Sequence, residues 1–253
     1  MFTLAHLSDP HLALPPVPGP ASLMNKRILG YLSWRRRRRF IHDPRVLQAL
    51  VADLHEQRPT HVAITGDLVN ISLPEEFSRA ASWLRALGAP DWITVIPGNH
   101  DAYLPMPWRE SLGLWADYMT DEGGGGAAKA PGGRDDFPIV RRRGPVALIG
   151  LNSAHPSKPF MAFGTLGERQ LAALDARLTA LGREGLFRVV LVHHPPLNSQ
   201  SRRGSRLVDA PGLRDVIARA GAELVLYGHI HRFSLEHTAG AGGRVPVVSV
   251  PSA

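Results

Sequence analysis

Short apolar runs, each closed by a small polar cluster, recur along the chain, and the distance between them leaves room for a helix in most intervals. Residues 2–7, 61–65, 92–96, 188–192 and 223–227 are too short for a helix and read as buried strands. Between them the period changes. Asp43 is a good N-cap with Pro44 at the first helical position, and the helix it opens runs to about Gln57. Residues 75–87, closed by Gly88, and 166–181, closed by Gly182, carry apolar side chains at three- and four-residue spacing. A shorter helix over 211–220 is capped by Asp209 or Pro211 and ended by Gly221. Residues 137–142 and 145–151 predict paired strands, and 233–237 with 245–250 a hairpin around residues 240–243. The expected fold is α/β, two packed sheets with helices outside them.

Two stretches interrupt this alternation. Residues 12–42 form an insertion with four prolines, then a run from 25 to 40 able to form a helix. The glycine-rich segment 121–133 predicts a mobile loop, because a phosphate-cradling loop needs a strand before it and Lys-Ser/Thr at its end. With 253 residues, 44% of them hydrophobic, the chain can bury one large core, and a single domain over 1–253 is expected. It stops at Ala253, directly after an apolar strand, which suggests a further strand or tail beyond that point. Neither a leader peptide nor an apolar run near the ~20 residues that span a bilayer is visible, so a cytoplasmic location is expected. The net charge of +7 favours anionic partners, although 26 of the 29 basic residues are arginine, a skew that base composition also produces.

The polar clusters carry the chemistry. They are Asp9-Pro10-His11, Gly66-Asp67, Gly98-Asn99-His100-Asp101, His193-His194 and Gly228-His229-Ile230-His231, each just beyond the carboxyl end of a strand, where open α/β sheets bind ligands. Imidazole, carboxylate and carboxamide in a chain without cysteine suit Mn, Fe or Zn in a catalytic site and exclude a thiolate zinc knot. Asp9 and His11, one residue apart, can grip one cation together, and His229 with His231 repeats the spacing. Asp67 can bridge two cations through its two carboxylate oxygens, Asn99 offers a neutral oxygen, and His193 completes a second set. Two ions so placed share a water and supply a bridging hydroxide for in-line attack on phosphorus. His100 is the expected general acid. Asn99 and His194 are expected to touch substrate phosphate, and Asp101 to orient the loop or the ring. His6, His42, His55, His61, His155 and His237 read as packed or surface residues.

In this order the clusters resemble the pattern of the calcineurin-like metallophosphoesterases, and within them most of all the bacterial class III cyclic nucleotide phosphodiesterases, which are similar to glycerophosphodiesterases. The resemblance implies a four-layer αββα sandwich of two mixed sheets. It also implies one metal on Asp9, His11, Asp67 and His231 and a second on Asp67, Asn99, His193 and His229. The activity it implies is hydrolysis of small phosphodiesters, cyclic nucleotides first. The alternatives are a pyrophosphatase for nucleotide-sugar or lipid-linked substrates and a non-catalytic metal-binding scaffold. Protein phosphatases of the family carry Gly-Asp-x-x-Asp, where this chain has Asn70, which argues against phosphoproteins. Arg35 to Arg39, beside Leu23, Ile28, Leu29, Leu32 and Trp34, is either a solvated helix end, a clamp for anionic substrate, or a peripheral contact of residues 23–40 with the inner membrane face.

Overall fold

In the computed structural model, residues 1–12, 18–36, 38–123, 127–197 and 204–253 are described. Strands β1 (Leu4–Leu7), β2 (His61–Ile64) and β3 (Ile93–Val95) form a parallel three-stranded sheet in the order β1-β2-β3. The second sheet holds β4 (Ile139–Arg143), β5 (Val146–Gly150), β6 (Phe187–Val192), β7 (Leu224–Tyr227), β8 (Ser234–Gly240) and β9 (Gly243–Ser249). Its order is β4-β5-β6-β7-β9-β8, with antiparallel hairpins at both edges and parallel pairs between them. Mixed pairing is thus confined to the larger sheet. Helices α1 (Arg27–Arg36), α2 (Pro44–Gln57), α3 (Pro74–Leu87), α4 (Glu168–Arg183) and α5 (Ala210–Ala220) complete the fold.

Alternation along the strands builds the layers. Val62 and Ile64 of β2 face a core shared with Leu54 of α2 and with Phe77 and Leu84 of α3, whereas Ala63 between them faces the other sheet. In the same way Val190 and Val192 of β6 meet Leu174 of α4 and Leu213 of α5, while Val189 and Leu191 join Ala63, Ile96 and Leu148 between the sheets. The result is helix, sheet, sheet, helix. Two histidines enter the inter-sheet layer as neutral rings. His6 Nε2 lies 2.9 Å from Thr65 Oγ1 and His61 Nε2 lies 2.7 Å from Thr94 Oγ1. Burial pushes their pKa values down to about 4 and about 3.

Helix α4 departs from the expected stop at Gly182. It runs on to Arg183 and gives way at Gly185, whose φ is +74°. A Cβ at Gly182 would stand 2.5 Å from Arg188 Nη1, so a side chain there would push the guanidinium aside. The Arg188 guanidinium fills that space and donates to Leu178 O and Ala220 O, tying α4 to α5. The glycine-rich stretch is also anchored beside the part described, since Asp121 accepts from Val140 N and from Arg177 and pairs in a bridge with Lys129. Residues 124–126, at its centre, lie outside the described residues. Among the described residues no helix is long and apolar enough to cross a membrane.

Candidate metal centre

The five clusters meet where the carboxyl ends of the parallel strands of both sheets come together. Asp9 and His11 follow β1, Asp67 follows β2, Asn99 and His100 follow β3, His193 follows β6, and His229 and His231 follow β7. Backbone bonds carry each sheet into this edge, Asp9 N donating to Gly66 O in the first and Gly228 N to His193 O in the second, and the two sheets are joined by His229 N donating to Asp9 Oδ2 and His193 Nδ1 to Thr65 O. Glycines permit the approach: a Cβ at Gly98 would sit 2.2 Å from Asp67 Oδ1, and one at Gly228 would sit 2.0 Å from Ser8 Oγ. Among the described residues eight that are not glycine have positive φ, and Asp9, His11, Asp67, His229 and His231 are five of them. Such backbone costs on the order of 1–3 kcal/mol per residue and clusters at working sites.

Each carboxylate spends one oxygen on the protein and presents the other. Asp9 Oδ2 accepts from Ser8 Oγ (2.5 Å) and His229 N, while Oδ1 faces His231 Nε2 at 3.1 Å and His11 Nε2 at 3.9 Å. Asp67 Oδ1 accepts from His100 N at 2.7 Å, leaving Oδ2 3.8 Å from His11 Nε2 and 3.4 Å from His193 Nε2. This corrects the expected geometry at Asp67. A single oxygen, not two, looks toward both sets, because the other is held by the loop of β3.

The imidazoles are oriented in the same economical way. His11 Nδ1 lies 3.2 Å from Val69 O and His193 Nδ1 lies 2.7 Å from Thr65 O. A carbonyl only accepts, so each Nδ1 carries the proton and each Nε2 turns a lone pair inward. His11 Nε2 then faces His231 Nε2 at 3.4 Å, and His193 Nε2 faces His229 Nδ1 at 3.3 Å and Asn99 Oδ1 at 3.1 Å. Lone pairs and carboxylate oxygens converging in two groups need positive charge between them. The electrostatics show the same demand for positive charge: burial disfavours a charged His193, yet the Asp67 and Asp9 carboxylates push its pKa up to about 9, so its Nε2 favours a cation, whether a proton or a metal ion. Burial and His193 hold His229 neutral, with a pKa of about 3, in the form that ligates. These residues fit a pair of cations, and ligand atoms of Asp67, His193 and His229 lie within 4.8 Å of one another, as do those of His11, Asp67 and His100.

Of the residues expected in the site, the structure brings the seven expected ligands and His100 together. The His100 ring lies edge-on to His11 at 4.9 Å and stacks on Tyr103 at 5.8 Å, and its Nδ1 donates to Asn70 O at 2.5 Å. Asn70 therefore orients the histidine through its backbone carbonyl. His194 departs from its expected contact with substrate: it is fully buried, with Nδ1 2.8 Å from Ser153 Oγ and Nε2 3.1 Å from Ala162 O. Both nitrogens are engaged inside the protein. Asp101 orients the loop, accepting from the backbone N–H groups of Asp67, Leu68, Val69 and Gly98.

Tyr103 and Glu76 were not singled out in the sequence, and His42, read there as a packed or surface residue, is a third contributor. Tyr103 stacks on His100; buried Glu76 accepts from the N–H groups of Asn70, Ile71 and Leu73; and His42 packs against His11. Glu76 carried a signal in its position, the third residue of a helix behind Pro74, where a carboxylate reaches back to free N–H groups.

An edge of strands from two sheets presenting oxygen and nitrogen donors in two groups is a candidate site for a pair of cations, of the kind metal-dependent hydrolases use. A profile of the Calcineurin-like phosphoesterase family matches residues 2–233, and the chain belongs to that family. It is 28% identical over 187 residues to a probable cyclic nucleotide phosphodiesterase from a Synechococcus strain, covering 73% of this chain and 62% of that protein. It is 29% identical over 203 residues to the glycerophosphodiester phosphodiesterase GpdQ of Enterobacter lignolyticus, covering 77% and 57%. The chain thus spans less than two thirds of the length of either relative. Among solved structures, a dimetal phosphatase from Danio rerio superposes with a TM-score of 0.64 at 14% identity, over 99% of this chain and 87% of that one. That likeness concerns the fold.

Proposed function

We propose that this chain is a single catalytic domain that hydrolyses small phosphodiesters with two divalent or mixed-valence ions, Mn, Fe or Zn, at the strand edge. The observation that carries the reading is Asp67 Oδ2, one carboxylate oxygen facing the His11 set and the His193 set at once. Asp9, His11, Asp67 and His231 would hold one ion, and Asp67, Asn99, His193 and His229 the other. When bound, such a pair supplies Lewis acidity toward phosphoryl oxygens and activates a water at neutral pH. The chain's own part is positioning and proton transfer. His100, fixed by Asn70 O and the Tyr103 ring, is the donor to the leaving alkoxide, a role worth roughly 10²- to 10⁴-fold. The names of the relatives, a probable cyclic nucleotide phosphodiesterase and a glycerophosphodiester phosphodiesterase, support diesters, with cyclic nucleotides among them.

The reading is tested by ion content and turnover of bis(p-nitrophenyl) phosphate measured together. Asp67→Ala should lose both, whereas His100→Ala should keep its ions while turnover falls about 10²-fold or more. Full ion content in Asp67→Ala, or wild-type turnover in His100→Ala, would overturn the assignment. Two bound ions with no hydrolysis of any phosphoester would instead mark a binding scaffold.

A second reading, hydrolysis of a lipid-linked pyrophosphate at the inner membrane face, is favoured by the outward side of α1. Ile28, Leu29 and Leu32 are exposed there, close in sequence to exposed Arg35 and Arg36.

A further inference from the structure

Residues 18–42 come back to the metal centre at their last residue. The His42 ring lies 4.6 Å from that of His11 and 5.7 Å from that of His231, and one nitrogen from each of the three rings falls within 4.8 Å of the others. His42 is half-buried and stands where the insertion joins α2.

Its hydrogen bonding decides what kind of ligand it can meet. Ser252 Oγ lies 2.6 Å from Asp9 O and 3.1 Å from His42 Nδ1. A hydroxyl has one proton, and the Asp9 carbonyl can only accept it. Ser252 Oγ must therefore accept from His42, which puts the ring proton on Nδ1 and leaves Nε2 with its lone pair. That is the tautomer seen at His11 and His193, whose Nδ1 atoms face Val69 O and Thr65 O. A lone pair ligates a cation and cannot donate to a phosphate oxygen, and an oxygen acceptor on the other ring nitrogen is the usual support of a metal-bound imidazole.

From this we infer that His42 is an additional ligand of the cation held by His11 and His231, oriented by Ser252 and carried to the site by the insertion. The inference rests on the two-ion reading above and adds to it a ligand from outside the strand-end clusters. It couples residues 18–42 to ion loading: the side of the centre nearest the insertion binds its ion more tightly when His42 is in place.

The test is Co(II) titration of the full chain after stripping with a chelator, read by calorimetry and by the visible absorption of the bound ion, with elemental analysis for stoichiometry. His42→Ala should weaken one of the two sites about tenfold or more, leave the other unchanged, and shift the absorption of the weakened site. Ser252→Ala, which removes only a hydroxyl, should weaken the same site by a smaller factor. His237→Ala, an exposed histidine on β8, should change neither. Wild-type affinities and an unchanged spectrum in His42→Ala overturn the inference, as does an equal loss in His237→Ala. If the wild-type chain itself takes up no Co(II), the two-ion reading fails with it, an outcome told apart by the unsubstituted protein alone.

Discussion

The loops that carry the candidate ligands and the insertion beside them are built on opposite principles. The loops after β2 and β3 are almost wholly buried, and two carboxylates thread them. Asp101 takes four backbone N–H groups and Glu76 takes three, so a few side chains fix the path of many residues. The insertion is mostly exposed along the part described and is held at a few points. Gly30 lets α1 close on Ile71 and Tyr103, Leu23 and Trp34 pack against Ile71 and Leu73, and Arg27 donates to Ile71 O and Ser72 O. Lys26 reaches Ser157 O at 2.8 Å. The difference separates geometry that must be fixed before any ion arrives from a surface that can vary without disturbing it, since segments with few buried contacts open locally at low cost.

The hardest blow to this contrast falls on Asp101. Asp101→Ala leaves four buried N–H groups without an acceptor, each such loss costing about 1–3 kcal/mol before relaxation. A drop of about 4 kcal/mol in unfolding free energy is expected by urea titration, together with a 10- to 100-fold loss of ion affinity, although Asp101 is not assigned as a ligand. A variant that unfolds near the wild-type midpoint would show that the loops hold their path by packing alone.

How much of this could be read from the chain follows the same division. Strand positions and the order of the polar clusters were legible because short apolar runs and residue type are local properties, so Asp9, His11, Asp67, Asn99, His193, His229 and His231 could be named and then found together. What each side chain does with its second polar atom was not legible. The single inward oxygen of Asp67 depends on His100 N, from another strand, and the buried pair of contacts at His194 depends on Ser153 and Ala162, some 30 to 40 residues away. His42 was hidden for the same reason. Its neighbours in sequence describe a helix cap, and only the closure of the insertion onto Ser252 and His11 gives it a role. Gly182 shows the converse error, a glycine that resembles a helix stop but makes room for Arg188.

Loosening the insertion should have a smaller and more local effect. Arg27 donates to two carbonyls of the loop before α3 and lies 3.4 Å from the Met106 sulfur, so Arg27→Ala removes the main polar tie of α1. Charge-assisted bonds of this kind are worth about 1.5 kcal/mol, which corresponds to cleavage by chymotrypsin at Tyr31, Trp34 or Phe40 about tenfold faster. The global unfolding midpoint should scarcely move. A coincident fall in both would mean that the insertion and the loops unfold as one unit and would dissolve the contrast.

The smallest effect is expected at the outer side of α1, where the contrast assigns freedom to vary. Arg35 and Arg36 are exposed, and the Arg39 guanidinium lies over the Phe40 ring at 4.5 Å. With Ile28, Leu29 and Leu32 outward, the helix pairs an apolar surface with cationic charge, the combination that binds anionic bilayers peripherally. Each arginine near such a surface contributes about 1 kcal/mol, screened within a Debye length. Arg35→Ala should therefore weaken co-sedimentation with phosphatidylserine vesicles about fivefold at low salt and leave neutral vesicles, ion content and unfolding unchanged. Equal binding by the variant and the wild-type chain would assign the arginines to solvent, and the lipid-linked substrate would lose its support while the diester reading, which depends on the strand-end loops, would stand.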